Sequence, residues 1–456
     1  MNVLFLLHQG TNSRDIFRGM IEGFRRAGHG VIVYELAPPM QIIQASPAPN
    51  RFAIQAHLTQ LLRSLIDANN IELCVGMWAN GLLGVTNGTK EGRPASFYEI
   101  AGVPLVMWWL DAPHWCQREV MQPLFNTPLL ASDKVISLIN NPATAAEMRR
   151  VMGFGEVISL PYGIDETTFS PHAETARYDL VFASGPGDPP PNEMMLRELE
   201  SDAPDIEMIR RSVADRVRLK LTKHLGDRPI ANALVDAQLE NRHAPVLDKI
   251  ESIRPSLSEE STAVLDRLLS DPARFIDNTA RLRAIENWER AFTLAYLSNR
   301  LGCAVMGGAD FGDWPIRAER LGNVPEAEMP RVYSRSRLAL NVMRWQDDQG
   351  LNLKPFEITA SGAACLCTNR AGLSDIWTPD EEIAAFDTPA DALDTARRLL
   401  DGPDERARIA EAGRVRTLSS HTWARRSDQI AAAVRRVGEL DRISLNVRTG
   451  ATTLSA

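Results

Sequence analysis

Lys354, Pro355 and Glu357 stand together in the stretch GLNLKPFEITASGAACLCTN, residues 350–369. Pro355 suits the first turn of a helix, where its missing N–H has no intrahelical partner to lose. Ser361-Gly362 supplies the stop, so a helix of barely two turns leads into the apolar strand 363–367. A lysine is a point charge for phosphate, and the open N–H groups of a helix start favour anions. Phosphate binding is therefore one reading. The other is an exposed Lys–Glu pair at i, i+3 on a helix end.

A second cluster is WWLDAPHWCQ, residues 108–117. Asp111 follows an apolar run, Pro113 stiffens the turn, and His114 comes next. Either side chain is chemically able to act as a general base, and Asp111 is the preferred candidate. Trp109 and Trp115 fit either stacking on a ligand face or a place in the core. A third cluster is HQGTNS, residues 8–13. Gly10 allows a tight turn near a ligand, His8 adds a titratable ring, and Asn12 fits a helix cap or a substrate contact.

These residues need elements to hold them. NVLFLL (2–7) reads as a buried parallel strand, and Ile16, Met20, Phe24 and Ala27 recur at helical spacing before Gly28. GVIVYEL (30–36) completes a βαβ unit, whose first loop lies at the carboxyl end of a strand, where open α/β sheets bind ligands. The alternation repeats through 71–78, 102–110, 134–139 and 156–165. A second series starts at YDLVFASGPG (178–187) and returns at 303–308, 338–343 and 363–368. Ser184-Gly185 and Gly307-Gly308 end strands of that series, as ligand-facing glycines or as plain turns.

The pattern predicts an α/β protein of two Rossmann-like domains, residues 1–172 and 173–420, facing a cleft. A helical insertion of mixed charge spans about 192–285 and reads as a solvated surface. Residues 405–437 read as one amphipathic helix, with 421–440 crossing back to the first domain and 441–456 a frayed tail. His421 and Arg425 on that helix are assigned structural work. Arg335 and Arg337 read as solvent-facing charges.

Composition narrows the function. The net charge of -8 over 456 residues argues against a nucleic-acid partner. Cys74, Cys116, Cys303, Cys365 and Cys367 lack zinc-finger spacing and read as reduced core thiols. The start lacks a basic region and a cleavage site, and its apolar run is too short to span a membrane. A cytoplasmic location is expected, with no metal and no bound cofactor.

The run VPEAEMPRVYSRSRLALNVMRWQDDQGLNLKPFEITASGAACLCTNRAGLSDIW resembles the donor half of GT-B glycosyltransferases, and within them the CgeB-like, glycosyltransferase family 1-like group. LPYGIDETTFSP, YDLVFASG and EAGRVRTLSSHTWARRSDQI extend the similarity. The resemblance implies transfer from a nucleotide sugar, a co-substrate rather than a cofactor, to a glycan, cell-surface or protein acceptor. It places ribose hydroxyls on Glu357, the diphosphate on Lys354, and the base against the main chain near Asn323-Val324. It adds Asn352, Ser184 and Gly185 to the donor-binding set. Many retaining members carry a second glutamate where this chain has Gln349. Gln349 keeps hydrogen bonding without charge, and neighbouring Asp347 and Asp348 are either substitutes or a solvated loop. Two alternatives remain open on sequence: a non-catalytic sugar-nucleotide-binding scaffold, and a GT-B-type sugar-nucleotide epimerase.

Overall fold

Apolar runs of five or six residues without polar side chains on either face suit strands covered on both sides. The computed structural model, which describes residues 1–7, 11–116, 118–183, 189–308, 311–344 and 348–449, builds the central strands of two sheets from such runs. The first unit comprises Met1–Gly163 with the chain from Trp423 onward, and the second comprises Ile164–Thr422.

The first unit contains β1 (Asn2–Leu7), β2 (Gly30–Glu35), β3 (Leu73–Met77), the small hairpin β4 (Gly88–Lys90) and β5 (Arg93–Ala95), then β6 (Leu105–Trp109), β7 (Val135–Ile139) and β8 (Glu156–Ser159). Its six-stranded sheet has the order β2-β1-β3-β6-β7-β8, parallel throughout. Strand order reverses direction of growth between β1 and β3, so the crevice outside their carboxyl ends is where such a sheet binds ligands. Helix Thr11–Arg26 follows β1 and packs on the terminal helix Trp423–Thr449. That packing is close enough to require a glycine: a Cβ at Gly23 would lie 2.3 Å from the Cβ of Trp423. Trp423 also meets Trp108 edge to face, with centroids 4.9 Å apart.

The second unit contains β9 (Tyr178–Ala183), β10 (Cys303–Met306), β11 (Ala318–Gly322), β12 (Ser336–Asn341), β13 (Ala364–Thr368) and β14 (Ala384–Phe386). Their order is β11-β10-β9-β12-β13-β14, again parallel throughout, which is the 3-2-1-4-5-6 order of dinucleotide-binding sheets. The expected α/β class with two Rossmann-like domains is what the chain adopts.

The insertion is helical, and its helices bury an apolar core beneath the mixed charge of its surface. Ile209, Val213, Val217, Leu221 and Leu225 recur every fourth residue along helix Ile206–Leu225 and are all buried. Its charges partly neutralise each other inside: Arg210 Nε lies 3.2 Å from Glu286, and Arg242 pairs with Glu289. The helical stretch expected over 405–437 comprises two helices, Pro403–Ser420 and Trp423–Thr449, with a break at His421-Thr422, where Ile164 bridges to Thr422. The second helix reaches into the expected tail, of which residues 450–456 lie outside the described residues.

Candidate active site

Parallel strands point all their carboxyl ends the same way, so one edge of the second sheet collects every following loop. Ser184-Gly185 follow β9 and lie outside the described residues. Gly307-Gly308 follow β10, and Asn323-Val324 follow β11. The first two loops that are described touch: Gly307 N–H donates to the carbonyl of Gly322 at 2.7 Å, and a Cβ at Gly308 would come within 3.0 Å of Asn323 Oδ1. Gly307 has φ 112°, a conformation that other residues rarely adopt. The loop after β12 carries Gln349 and Asn352 into the short helix Lys354–Ala360. The sequence-predicted donor residues that are described therefore follow strands at one sheet edge, with Gln349 to Glu357 in the connection from β12 to β13.

Within that set, Lys354 and Glu357 are bonded. Lys354 Nζ donates to Glu357 Oε2 at 2.7 Å, and Tyr333 Oη donates to the same oxygen at 3.2 Å. The reading of an exposed pair fails on burial: the glutamate side chain is 2% exposed and the lysine 31%. Asn352 Oδ1 accepts from the Lys354 backbone N–H at 3.3 Å, an Asx-type bond just before the helix, whose cap residue Leu353 makes no side-chain capping bond. An ammonium has three donors, so Lys354 can hold Glu357 and still direct N–H groups elsewhere.

The back of the short helix is fixed by aromatic and hydroxyl contacts. Phe356 packs on Trp377 with centroids 4.8 Å apart and on the His421 ring at 5.5 Å. Thr359 Oγ1 and Thr417 Oγ1 lie 2.7 Å apart, and Trp377 Nε1 donates to Thr417 at 3.1 Å. Helix Pro403–Ser420 comes so near that a Cβ at Gly413 would lie 2.2 Å from the Glu382 carbonyl. His421 thus does the structural work expected of it, as part of the wall behind the helix. Arg335 and Arg337 are surface charges, paired with Glu174 at 3.1 Å and Asp179 at 3.3 Å.

Asp348 is not a solvated loop residue. Its carboxylate is 3% exposed and receives Arg283 Nε at 3.1 Å, from the end of insert helix Pro272–Arg283. Neighbouring Asp347 lies outside the described residues. No local pattern marks a partner 65 residues away, and sequence reasoning missed Arg283 for that reason. It also missed Tyr333, whose position two residues before Arg335 in an ordinary helix-to-strand join carries no motif.

In the first unit, His8 and Gly10 lie outside the described residues. Asn12 is the second residue of helix Thr11–Arg26, so it stands inside the helix rather than at its cap. Asp111 follows β6 and is half-buried, while His114 is buried, its ring 5.1 Å from that of Trp115. Trp109 belongs to the core and donates to Ser137 Oγ at 3.1 Å. One residue here had no sequence signal: Trp78, directly after β3 at the switch point, has φ 54°. A bulky residue held in that region is a strain that marks ligand-facing positions.

Residues 281–432 match the family model described as glycosyl transferase-like. No curated protein matches the chain. Among solved structures, it is similar to a sucrose-phosphate synthase from Thermosynechococcus elongatus, at 11% identity over 98% of this chain and 100% of that one, with a TM-score of 0.48. It is similar to HepE from Anabaena, solved with UDP and glucose, at 12% identity over 96% and 100%, with a TM-score of 0.49. It is similar to the BGT of phage T4, solved with its UDP-glucose substrate, at 10% identity over 95% and 99%, with a TM-score of 0.48. Likeness at this level assigns no substrate.

Proposed function

We propose that the chain transfers a sugar from a nucleotide-sugar donor to a hydroxyl of a glycan, cell-surface or protein acceptor. One observation carries the proposal: the buried Glu357 carboxylate, held by Lys354 and Tyr333, stands in the first turn of the helix that follows β12, a strand flanking the switch point of a dinucleotide-type sheet. The match of residues 281–432 to a glycosyl transferase-like family supports the reaction class, and the matched span contains all three residues. Within that class, the sequence from 324 to 377 supports the CgeB-like group. The buried thiols of Cys74, Cys303, Cys365 and Cys367 form no disulfide among the described residues and suit a reducing cytoplasm.

In this reading Glu357 accepts hydrogen bonds from ribose hydroxyls, since an ionised carboxylate is a pure acceptor with several lone pairs. Lys354 faces the diphosphate. As the bond from the anomeric carbon to phosphate oxygen breaks, the electron pair leaves with the nucleoside diphosphate, and the preorganised ammonium stabilises the growing charge. Lysine thereby does the charge work without an essential metal. The acceptor oxygen forms the new bond, and its proton passes to a general base. Asp111 is our candidate for that base because it is partly exposed, whereas His114 is buried. Gln349, Asn352 and Val324 are assigned to the sugar and the nucleobase side.

The test is product analysis with a panel of nucleotide sugars and candidate acceptors, with and without a chelator. Sugar-bearing product that persists with the chelator and disappears in Lys354→Ala is expected. Conversion of the donor to an epimer, with no acceptor modified, would replace this proposal.

A further inference from the structure

Helix Ile206–Leu225 of the insertion carries Arg216, Lys220 and Lys223 at i, i+4 and i+7, a stripe of like charge on one face. Like-charged neighbours at that spacing oppose helix formation. Lys220, Lys223 and His224 border an open concavity of about 540 Å³, closed on its other side by Ala280, Arg281 and Ala284. Among the described residues, Lys220, Lys223 and Arg281 form no ion pair. Arg281 is held in place instead by donating to the Asp277 carbonyl at 2.5 Å. Ala280 and Ala284, one turn apart, give the concavity its depth, because longer side chains there would fill it.

A second concavity on the same helix, about 450 Å³, makes the contrast. Its Arg211 is 3.0 Å from Glu207, and its Arg218 is 2.7 Å from both Asp215 and Asp236. The cations there are neutralised by their neighbours. In the first concavity three cations and a histidine converge without a carboxylate among the lining residues. Converging like charge raises the local potential, and a bound anion relieves it.

We propose that the concavity of Lys220, Lys223, His224 and Arg281 is a binding site for a compact, multiply charged anion, with phosphate as the matching group. Two ammonium point charges and a guanidinium fork fixed at one N–H suit tetrahedral phosphate oxygens. The site lies in the insertion and does not depend on the donor reading.

The experiment is calorimetric titration of the full chain with tripolyphosphate at fixed ionic strength, repeated with citrate. Saturable one-to-one binding of tripolyphosphate is expected in the Lys354→Ala background, which removes the lysine of the proposed donor site, and adding Arg211→Gln should leave that binding unchanged. The triple variant Lys220→Gln/Lys223→Gln/Arg281→Gln should lose at least about tenfold in affinity, the equivalent of 1.4 kcal/mol. Ala280→Leu, which fills the concavity and leaves every charge, should weaken binding as well. Undiminished binding in the triple variant would overturn the site. So would equal loss in Arg211→Gln, which would mean diffuse charge attraction. Loss confined to Lys354→Ala would move the anion to the other site, and tighter binding of citrate than of tripolyphosphate would overturn the phosphate assignment.

Discussion

Arg283 and Asp348 form an ion pair with side-chain exposures of 1% and 3%, and the pair joins an insertion helix to the residue before Gln349. The short stretch from Asp348 to Lys354 leads from that anchor into the helix holding Lys354 and Glu357. The insertion therefore holds the loop that precedes the proposed donor site. Arg283 is a positioning residue in this account.

Removing one member of a buried pair strands the other charge. Asp348→Ala should cost about 3–5 kcal/mol, whereas the double variant Arg283→Met/Asp348→Leu should recover most of it. Urea unfolding of the two single variants and the double variant measures the coupling. If the position matters for the loop, nucleotide affinity falls in the stably folded double variant too. Unchanged affinity there would reduce Arg283 to a purely structural role.

Gly23 faces Trp423 at a distance no side chain tolerates. Gly23→Ala gains helix propensity, yet it should destabilise the first unit by about 1–3 kcal/mol because the terminal helix must shift. A chain as stable as the native one in thermal unfolding would contradict the packing of Trp423 against that glycine.

His243 gives a pH dependence with a defined sign. Burial, then the cations of Arg370 and Arg242, push its pKa from the ordinary 6.5 down to about 2. Between those values the unfolded chain binds a proton that the folded chain refuses, so stability falls as pH drops below 6.5. The slope from this group is at most about 1.4 kcal/mol per pH unit. Glu286 acts oppositely: burial and Glu289 raise its carboxyl from 4.5 to about 7, so its contribution weakens as pH rises from 4.5 toward 7. The two oppose each other from 4.5 to 6.5. Below 4.5 the acid loss from His243 is joined by that of Glu289, whose carboxyl, burial notwithstanding, Arg242 and Arg370 hold below its ordinary value. His243→Asn should therefore make the loss below 4.5 shallower without abolishing it; an equally steep profile in that variant would remove the assignment.

Much of this was legible because the strands are short apolar runs punctuated by Gly, Pro and Asn. The runs ending at Leu7, Trp109 and Ala183 needed no tertiary information. The short helix was legible too, since Pro355 starts it and Gly362 ends it with φ 76°. What the chain concealed was tertiary. The charged insertion read as a solvated surface because ion pairs such as Arg210–Glu286 join residues far apart in sequence. The break at His421-Thr422 left no proline or glycine behind; it follows from the bridge to Ile164. Trp78 ends an apolar run without any motif, and only its backbone angle distinguishes it.

The most direct measurement is calorimetric titration of the native chain, Lys354→Ala and Glu357→Gln with a panel of nucleoside diphosphates. The account predicts that one base binds best, and that Lys354→Ala loses about 1.5–3 kcal/mol of binding free energy, the scale of a charge-assisted hydrogen bond. Glu357→Gln should weaken the nucleoside diphosphate while sparing its 2′,3′-dideoxy analogue. Equal binding by all three proteins, or none by a folded native chain, would contradict the donor site.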